Sequence, residues 1–222
     1  MAKSSPKPAP FRGVAPPSRN QEAHPDLPND ARRKMIESTV TLLAMQGLQG
    51  TAFSDVLARS GSPRGSIYHH FPGGKAELVD AAIELAGARA LQVLDTVDGR
   101  PPVEVTAYFL DLWREVLVRS NVRAGCAVLA VTVATDSPEL LDHAGSIFRA
   151  WRNRLAELYV AGGVQPTAAA RLAATLVAAS EGAVVASRAE RSTESFEMVA
   201  EELIAAAARA PRLGGFPRSG RS

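Results

Sequence analysis

A single cysteine, Cys126, in 222 residues excludes an internal disulfide framework and a zinc site built from several thiolates. No uninterrupted apolar run approaches the ~18 residues needed to cross a bilayer. The longest, from Cys126 to Val131 and on to Ala134, is broken by Thr132 and reads as core. The N-terminus has lysines but no apolar h-region, so no secretory signal is read there. A cytoplasmic, reducing setting without a membrane partner is the simplest expectation. No Ser/His/Asp trio and no paired carboxylates stand out, so neither an enzyme active site nor a cofactor is expected. Aromatic residues are scarce at 5%, whereas apolar residues reach 46% and alanine is conspicuous. That balance favours closely packed helices over sheets.

What is present is unevenly distributed. The formal charge of +2 conceals +4 over residues 1–78 and −2 over the rest. Residues 1–28 hold seven of the fifteen prolines and almost no large apolar side chains. Such a segment cannot bury enough surface to offset its ordering entropy, so a disordered tail is expected, either inert or a basic arm along DNA.

Beyond the tail the chain reads as helices. Asn29 or Asp30 is the expected cap of the first, with Ile36, Val40, Leu43 and Gly47 on one face and Gly47 as its end. Thr51 is placed to cap a shorter second helix carrying Phe53, Val56 and Leu57. Ser60-Gly61-Ser62 then turns into a very short helix through Phe71. Three helices in about 45 residues, the last two joined by a turn containing glycine, form a helix-turn-helix arrangement. Further helices are expected from Lys75 to Asp95, up to Arg119, from Ser137-Pro138-Glu139 to Tyr159, from Gln165-Pro166-Thr167 to Glu190, and from Ser195 to Arg209. Residues 125–135 have strand-favouring valines but no partner strand, and are assigned as a buried helix. The fold class is all-α with about nine helices: residues 29–74 as a helix-turn-helix domain, 75–210 as a larger bundle, and 211–222 as a loose tail.

The stretch Gly61–Phe71 has an unusual inventory. Ser62 is placed to cap it and Pro63 to occupy the first helical position. Ile67 and Phe71, four apart, point to a core, leaving Arg64, Gly65, Ser66, Tyr68 and His69 facing elsewhere. Guanidinium, hydroxyl and imidazole groups beside bare backbone suit contact with nucleic acid. A core role for Tyr68 is the alternative, although Ile67 and Phe71 already occupy the buried face. His69 and His70 point about 100° apart on a helix and lack a carboxylate or thiol at ligand spacing, so no metal is expected.

The run from Gly47-Leu48-Gln49-Gly50-Thr51-Ala52-Phe53 through Gly61-Ser62-Pro63-Arg64-Gly65-Ser66-Ile67-Tyr68-His69-His70-Phe71 resembles the DNA-binding domain of the TetR family of bacterial transcriptional regulators. The hinge Phe71-Pro72-Gly73-Gly74-Lys75 resembles the LmrA/YxaF branch, as do Arg123-Ala124-Gly125-Cys126 and Glu190-Arg191-Ser192. The resemblance implies operator DNA and a second copy of the chain as partners, with a hydrophobic small molecule as effector. It implies phosphate contacts from Thr51 and Lys75, base approach by Arg64 and Gly65, and backbone or thymine-methyl contacts by Tyr68 and His69. Ser62 and Ser66 belong to the same expected DNA-binding set. Two departures stand out: Pro63 replaces the usual serine or threonine, and a second glycine at Gly73-Gly74 lengthens the hinge.

In the larger bundle Tyr108, Phe109, Trp113, Cys126, Phe148 and Trp151 are candidate cavity-lining residues, with ordinary core the alternative for each. Cys126 is expected to be inert rather than a redox sensor, lying in an apolar run. Glu181, in an alanine-rich helix, reads as interfacial, with Ala173, Ala174, Ala178 and Ala179 allowing close approach of a second copy. The rival reading is a small-molecule-binding or catalytic helical protein with a vestigial helix-turn-helix.

Overall fold

The computed structural model describes residues 28–213. The expected tail lies outside the described residues except for Pro28, and so do residues 214–222. Nine helices follow one another among the described residues: α1 (Pro28–Gly50), α2 (Phe53–Ser60), α3 (Ser66–His70), α4 (Gly74–Asp95), α5 (Pro102–Arg119), α6 (Ala127–Thr132), α7 (Pro138–Ala161), α8 (Pro166–Glu190) and α9 (Glu194–Arg209). The ambiguous valine-rich segment is indeed the buried helix α6. Residues 211–213 are better tied than a loose tail: Val164 and Arg212 form an antiparallel bridge, and the Leu213 amide donates to the Gly163 carbonyl at 2.8 Å.

Three local expectations need correction. The first helix begins at Pro28, so Asp30 lies within its first turn rather than capping it and pairs with Arg33 and Lys34. Its regular ladder breaks at Gly47 (φ 74°), yet helical hydrogen bonding resumes to Gly50. Thr51 does not cap α2, whose cap position is Ala52 with no side-chain bond. The Thr51 hydroxyl instead donates to the Gly47 carbonyl at 2.7 Å and closes the end of α1, where carbonyls lack helical partners.

The N-terminal unit is held by a small shared core. Met35, Leu43, Val56, Ile67 and Phe71 are buried together, with Leu78 and Val79 of α4 contributing from outside the motif. Arg32 lies over the Phe71 ring, 5.0 Å from its centroid, and ties the start of α1 to the end of α3. Gly61 adopts the left-handed conformation (φ 69°, ψ 18°) that turns the chain from α2 towards α3, a geometry glycine adopts without a Cβ penalty.

The helix α4 joins that unit to the bundle. It packs on α1 on one side and on α6 and α7 on the other. Its crossing with α7 is close because Gly87 has no side chain: a Cβ there would stand 2.7 Å from Cγ2 of Ile147. Trp151 of α7 uses the same gap, its indole N–H donating to the Gly87 carbonyl at 3.0 Å. Charged pairs reinforce the contact. His143 of α7 bridges Asp80 and Glu84 of α4, and Arg154 meets Asp95.

At the far end, α5, α7, α8 and α9 form the body of the bundle. Arg114 of α5 donates twice to the Glu197 carboxylate of α9, at 2.8 Å each. The helix α8 is long and apolar enough, by length and composition, to cross a membrane. Its apolar side chains are used within the fold: Leu172, Leu176, Val177 and Val184 are buried between α7 and α9.

Candidate nucleic-acid interface and effector cavity

The short helix α3 is positioned from beneath. Ile67 and Phe71 are 1% and 0% exposed, so their burial fixes which face turns outward. Outward lie Tyr68 and His69 on the helix and Arg64 and Gly65 in the turn before it, all exposed, with Tyr68 at 67%. The core reading of Tyr68 therefore fails. Its ring still rests edge-on against Phe53 of α2, with centroids 5.8 Å apart, so it is exposed yet oriented. A groove of about 460 Å³ between α2 and α3 is lined by Ser54, Ala58, Ser62, Arg64 and Tyr68 among others.

The entry into α3 differs from the expected one. Ser62 makes no capping bond and Pro63 is not the first helical residue, because the helix proper starts at Ser66. Residues 63–66 form a turn in which the Pro63 carbonyl accepts from both the amide (3.0 Å) and the hydroxyl (2.6 Å) of Ser66. One consequence is that the Ser66 proton is spent within the chain, and Ser62 is half-buried.

Thr51 and Lys75 meet at the end of α1 rather than on the α3 surface. Thr51 is 2% exposed, with its hydroxyl proton given to Gly47. A direct phosphate contact by this hydroxyl has no support in that arrangement. Lys75 is half-buried and donates to the Leu48 carbonyl at 2.9 Å, leaving two further N–H donors on its ammonium. A cation at a helix C-terminus complements the partial negative charge there. His70 is half-buried beside His69, with rings 5.2 Å apart.

The six candidate cavity residues separate into groups. Phe109, Trp113, Trp151 and Phe148 form an edge-to-face row, with successive centroids 6.4, 6.3 and 5.4 Å apart. Phe109 and Trp151 are fully packed core, whereas the Trp113 indole N–H is buried without a hydrogen-bond partner among the described residues. Tyr108 stands apart beneath the Arg100 guanidinium, 5.6 Å from its ring centroid. Cys126 is buried at the start of α6, where its sulfur accepts from the Leu129 amide at 3.4 Å. Burial pushes its thiol well above the ordinary range, and the nearby Glu181 adds to the shift, which fits an unreactive cysteine.

An opening in the bundle lies where α6, α7 and α8 meet. It measures about 620 Å³ and is lined by Leu129, Phe148, Arg152, Val177, Glu181 and Val185, with Ala174, Ala178 and Gly182 leaving the space. Of the six sequence candidates only Phe148 lines it. Glu181, read from sequence as an interfacial residue, is 7% exposed, and neither carboxylate oxygen has a hydrogen-bond partner among the described residues. Burial raises this carboxyl to about 7; the neighbouring Cys126 thiol, a weak donor, opposes the rise. An acid one turn from Val177, among the alanines and valines in the middle of α8, was the signal available. The alanine set also divides. Ala174 and Ala178 are exposed and Ala179 is half-buried, but Ala173 is fully buried in its own protomer and is not free for a second copy.

Comparison with known proteins follows this division of the chain. Residues 35–82 match the model of the bacterial regulatory proteins of the tetR family, and residues 102–202 match the LmrA/YxaF-like transcriptional regulator C-terminal domain. The uncharacterised HTH-type transcriptional regulator Rv0196 of Mycobacterium tuberculosis is 31% identical over 179 residues, covering 78% of this chain and 91% of that one. The uncharacterised HTH-type transcriptional regulator YxaF of Bacillus subtilis is 25% identical, covering 78% and 93%. Among solved structures, a TetR transcriptional regulator from Chloroflexus aurantiacus superposes with a TM-score of 0.71 at 26% identity, over 84% of this chain and 98% of that one. The all-helical fold, the exposed helix-turn-helix and the matching of both halves place this chain in the TetR family of transcriptional regulators, a non-enzymatic family of DNA-binding proteins, with a C-terminal domain of the LmrA/YxaF type.

Proposed function

We propose that this protein is a repressor that binds a palindromic operator as a homodimer and is released by a hydrophobic small molecule. Residues 29–74 act as the DNA-reading domain and 75–210 as the effector and dimerisation domain. Arg64 and Gly65 approach base edges, the guanidinium being able to donate twice to a guanine. Tyr68 and His69 contact backbone or thymine methyls, and Ser62, Ser66 and Lys75 lie nearer the phosphates, which set orientation rather than sequence. The observation that carries this reading is an exposed polar α3 face held in place by two fully buried residues, Ile67 and Phe71.

A second copy is accommodated along α8 and α9. Ala174, Ala178 and Gly182 are small and exposed on α8, and Met198 is exposed on α9. Two copies would present their α3 helices to successive major grooves, about 34 Å apart. An effector releases DNA by binding better to the dimer whose α3 helices are spaced differently. The helix α4 is the element through which spacing changes, because it packs on both α1 and α7.

Sedimentation combined with a band-shift assay tests this reading. The DNA is the segment upstream of the protein's own reading frame. A dimer at micromolar concentration and a shifted band suppressed by rising salt are expected. A monomer that shifts no DNA would sink it.

A further inference from the structure

The helix-turn-helix unit is joined to the bundle at a second place besides α4. Gly47 takes a positive φ of 74° and interrupts α1, and Ala44 and Met45 lie within one turn of that break. Carbonyls near a helix end accept from donors outside the helix. Here the donors come from the bundle. The Gly125 amide, just ahead of α6, donates to the Ala44 carbonyl at 2.8 Å. The Arg188 guanidinium, near the end of α8, donates to the Met45 carbonyl at 3.1 Å. Gln49 adds a bond in the other sense, its side-chain amide donating to the Ala134 carbonyl at 3.3 Å.

The loop that presents Gly125 is tightly specified. Asn121 and Val122 hold positive φ (51° and 59°), a conformation that a β-branched residue keeps only where its surroundings fix it. The Ser120 hydroxyl accepts from the amides of Arg123 at 3.1 Å and Ala124 at 2.9 Å. Position 125 itself is close to Arg188: a Cβ there would stand 3.1 Å from Nη1 and 3.3 Å from Cδ of that side chain. Glycine therefore lets the amide and the guanidinium reach adjacent carbonyls of α1 side by side. Arg188 shares α8 with Ala174, Ala178 and Gly182, the face given above to the second copy, but is half-buried and turned towards α1.

We propose that Gly125 and Arg188 form a latch that pins the C-terminal end of α1 to the helix carrying the dimer face, which makes Arg188 a positioning residue for the spacing of the two α3 helices. This rests on the dimeric repressor reading above. The helix α8 is a single element of 25 residues, so it leads from the second copy to α1 without passing through α4. With the end of α1 pinned, a movement of α4 turns the reading unit about the latch instead of carrying it freely. One half-site spacing is then favoured over its neighbours.

Hydrogen–deuterium exchange on the full chain, followed by binding to the palindrome footprinted in the upstream DNA, provides the test. Arg188→Met keeps the apolar stem and removes the donors. Gly125→Ala keeps the charge and displaces the guanidinium. The two variants act from opposite sides of the contact, so either alone decides. Both should speed exchange over residues 44–50 by about 10-fold and leave exchange in α3 unchanged. One base pair added at the centre of the palindrome moves the half-sites apart by about 3.4 Å and rotates one against the other. It should weaken binding of the unmodified protein by about 10-fold, and that of either variant by less than about three-fold. Affinity for a duplex carrying one half-site should be the same for all three proteins. A merely structural role would lower the unfolding midpoint and leave the spacing preference intact. Unchanged exchange overturns the latch. Faster exchange with an undiminished spacing preference overturns the positioning role, as does loss of half-site binding in a variant. If the unmodified protein binds no DNA, the repressor reading falls and the spacing role with it, while the exchange result, which needs no DNA, still decides the latch.

Discussion

The two candidate sites of this molecule are built on opposite principles. The α3 surface consists of exposed side chains held from below by a satisfied core, Ile67 and Phe71. The cavity beside α8 contains a buried carboxyl, Glu181, whose oxygens have no hydrogen-bond partner among the described residues. In the first, folding energy and binding chemistry reside in different residues. In the second they compete within one side chain. Substitutions on α3 should therefore change affinity without stability, and substitutions around the cavity should change stability first.

The strongest way to break that contrast is Glu181→Gln. Below pH 4.5 the carboxyl is protonated both folded and unfolded, so the associated stability is fully present. As pH rises from 4.5 through about 7 the unfolded chain ionises more readily, and stability is lost. Glu181→Gln should thus be near neutral at low pH and stabilising above about pH 8, by up to roughly 3 kcal/mol. Chemical denaturation at the two pH values measures it; an equal effect at both would show that the carboxyl is paired after all.

Next comes Gly87→Ala. Its Cβ would meet Ile147 at 2.7 Å, so α4 and α7 must separate. A loss of about 1–3 kcal/mol is expected from overpacking of this kind, seen as a lower unfolding midpoint. A neutral effect would mean the crossing is looser than described.

The two sites also differ in what was legible in advance. The α3 surface could be read because its residues are contiguous, and helical spacing separates Ile67 and Phe71 from Tyr68 and His69. Helix order and number were legible for the same reason, since start signals such as Ser137-Pro138 are local. The cavity was not, because Leu129, Phe148 and Glu181 come from three helices whose packing no periodicity encodes. Thr51 failed differently. A cap would accept an α2 amide through its hydroxyl oxygen, but Thr51 instead donates its hydroxyl to the Gly47 carbonyl at the open end of α1.

Lys75→Ala sharpens the comparison at its boundary, because this ammonium is both structural and, by our proposal, a phosphate contact. It should lower the salt dependence of operator binding by about one ion. Loss of the bond to the Leu48 carbonyl should lower stability by about 1 kcal/mol. An unchanged salt slope would leave it a purely structural residue.

The smallest effect is expected at His143. Burial disfavours its charge, but the hydrogen bonds and charges of Asp80 and Glu84 outweigh that and raise its pKa above the usual value. Its contribution is therefore present below the ordinary histidine pKa and is lost as pH rises through the raised one. His143→Ala should cost less than about 1 kcal/mol near pH 6, given how exposed both carboxylates are, and still less near pH 9. A cost that grows with pH would contradict the bridge to α4.

The central claim is that the exposed face of α3 reads DNA. Fluorescence anisotropy of labelled upstream DNA, titrated with the unmodified protein and with Arg64→Ala, tests it most directly. The prediction is a loss of about 10- to 100-fold in affinity for Arg64→Ala with an unchanged unfolding midpoint, since one bidentate base contact disappears and nothing buried does. Equal affinity for the two proteins would contradict it.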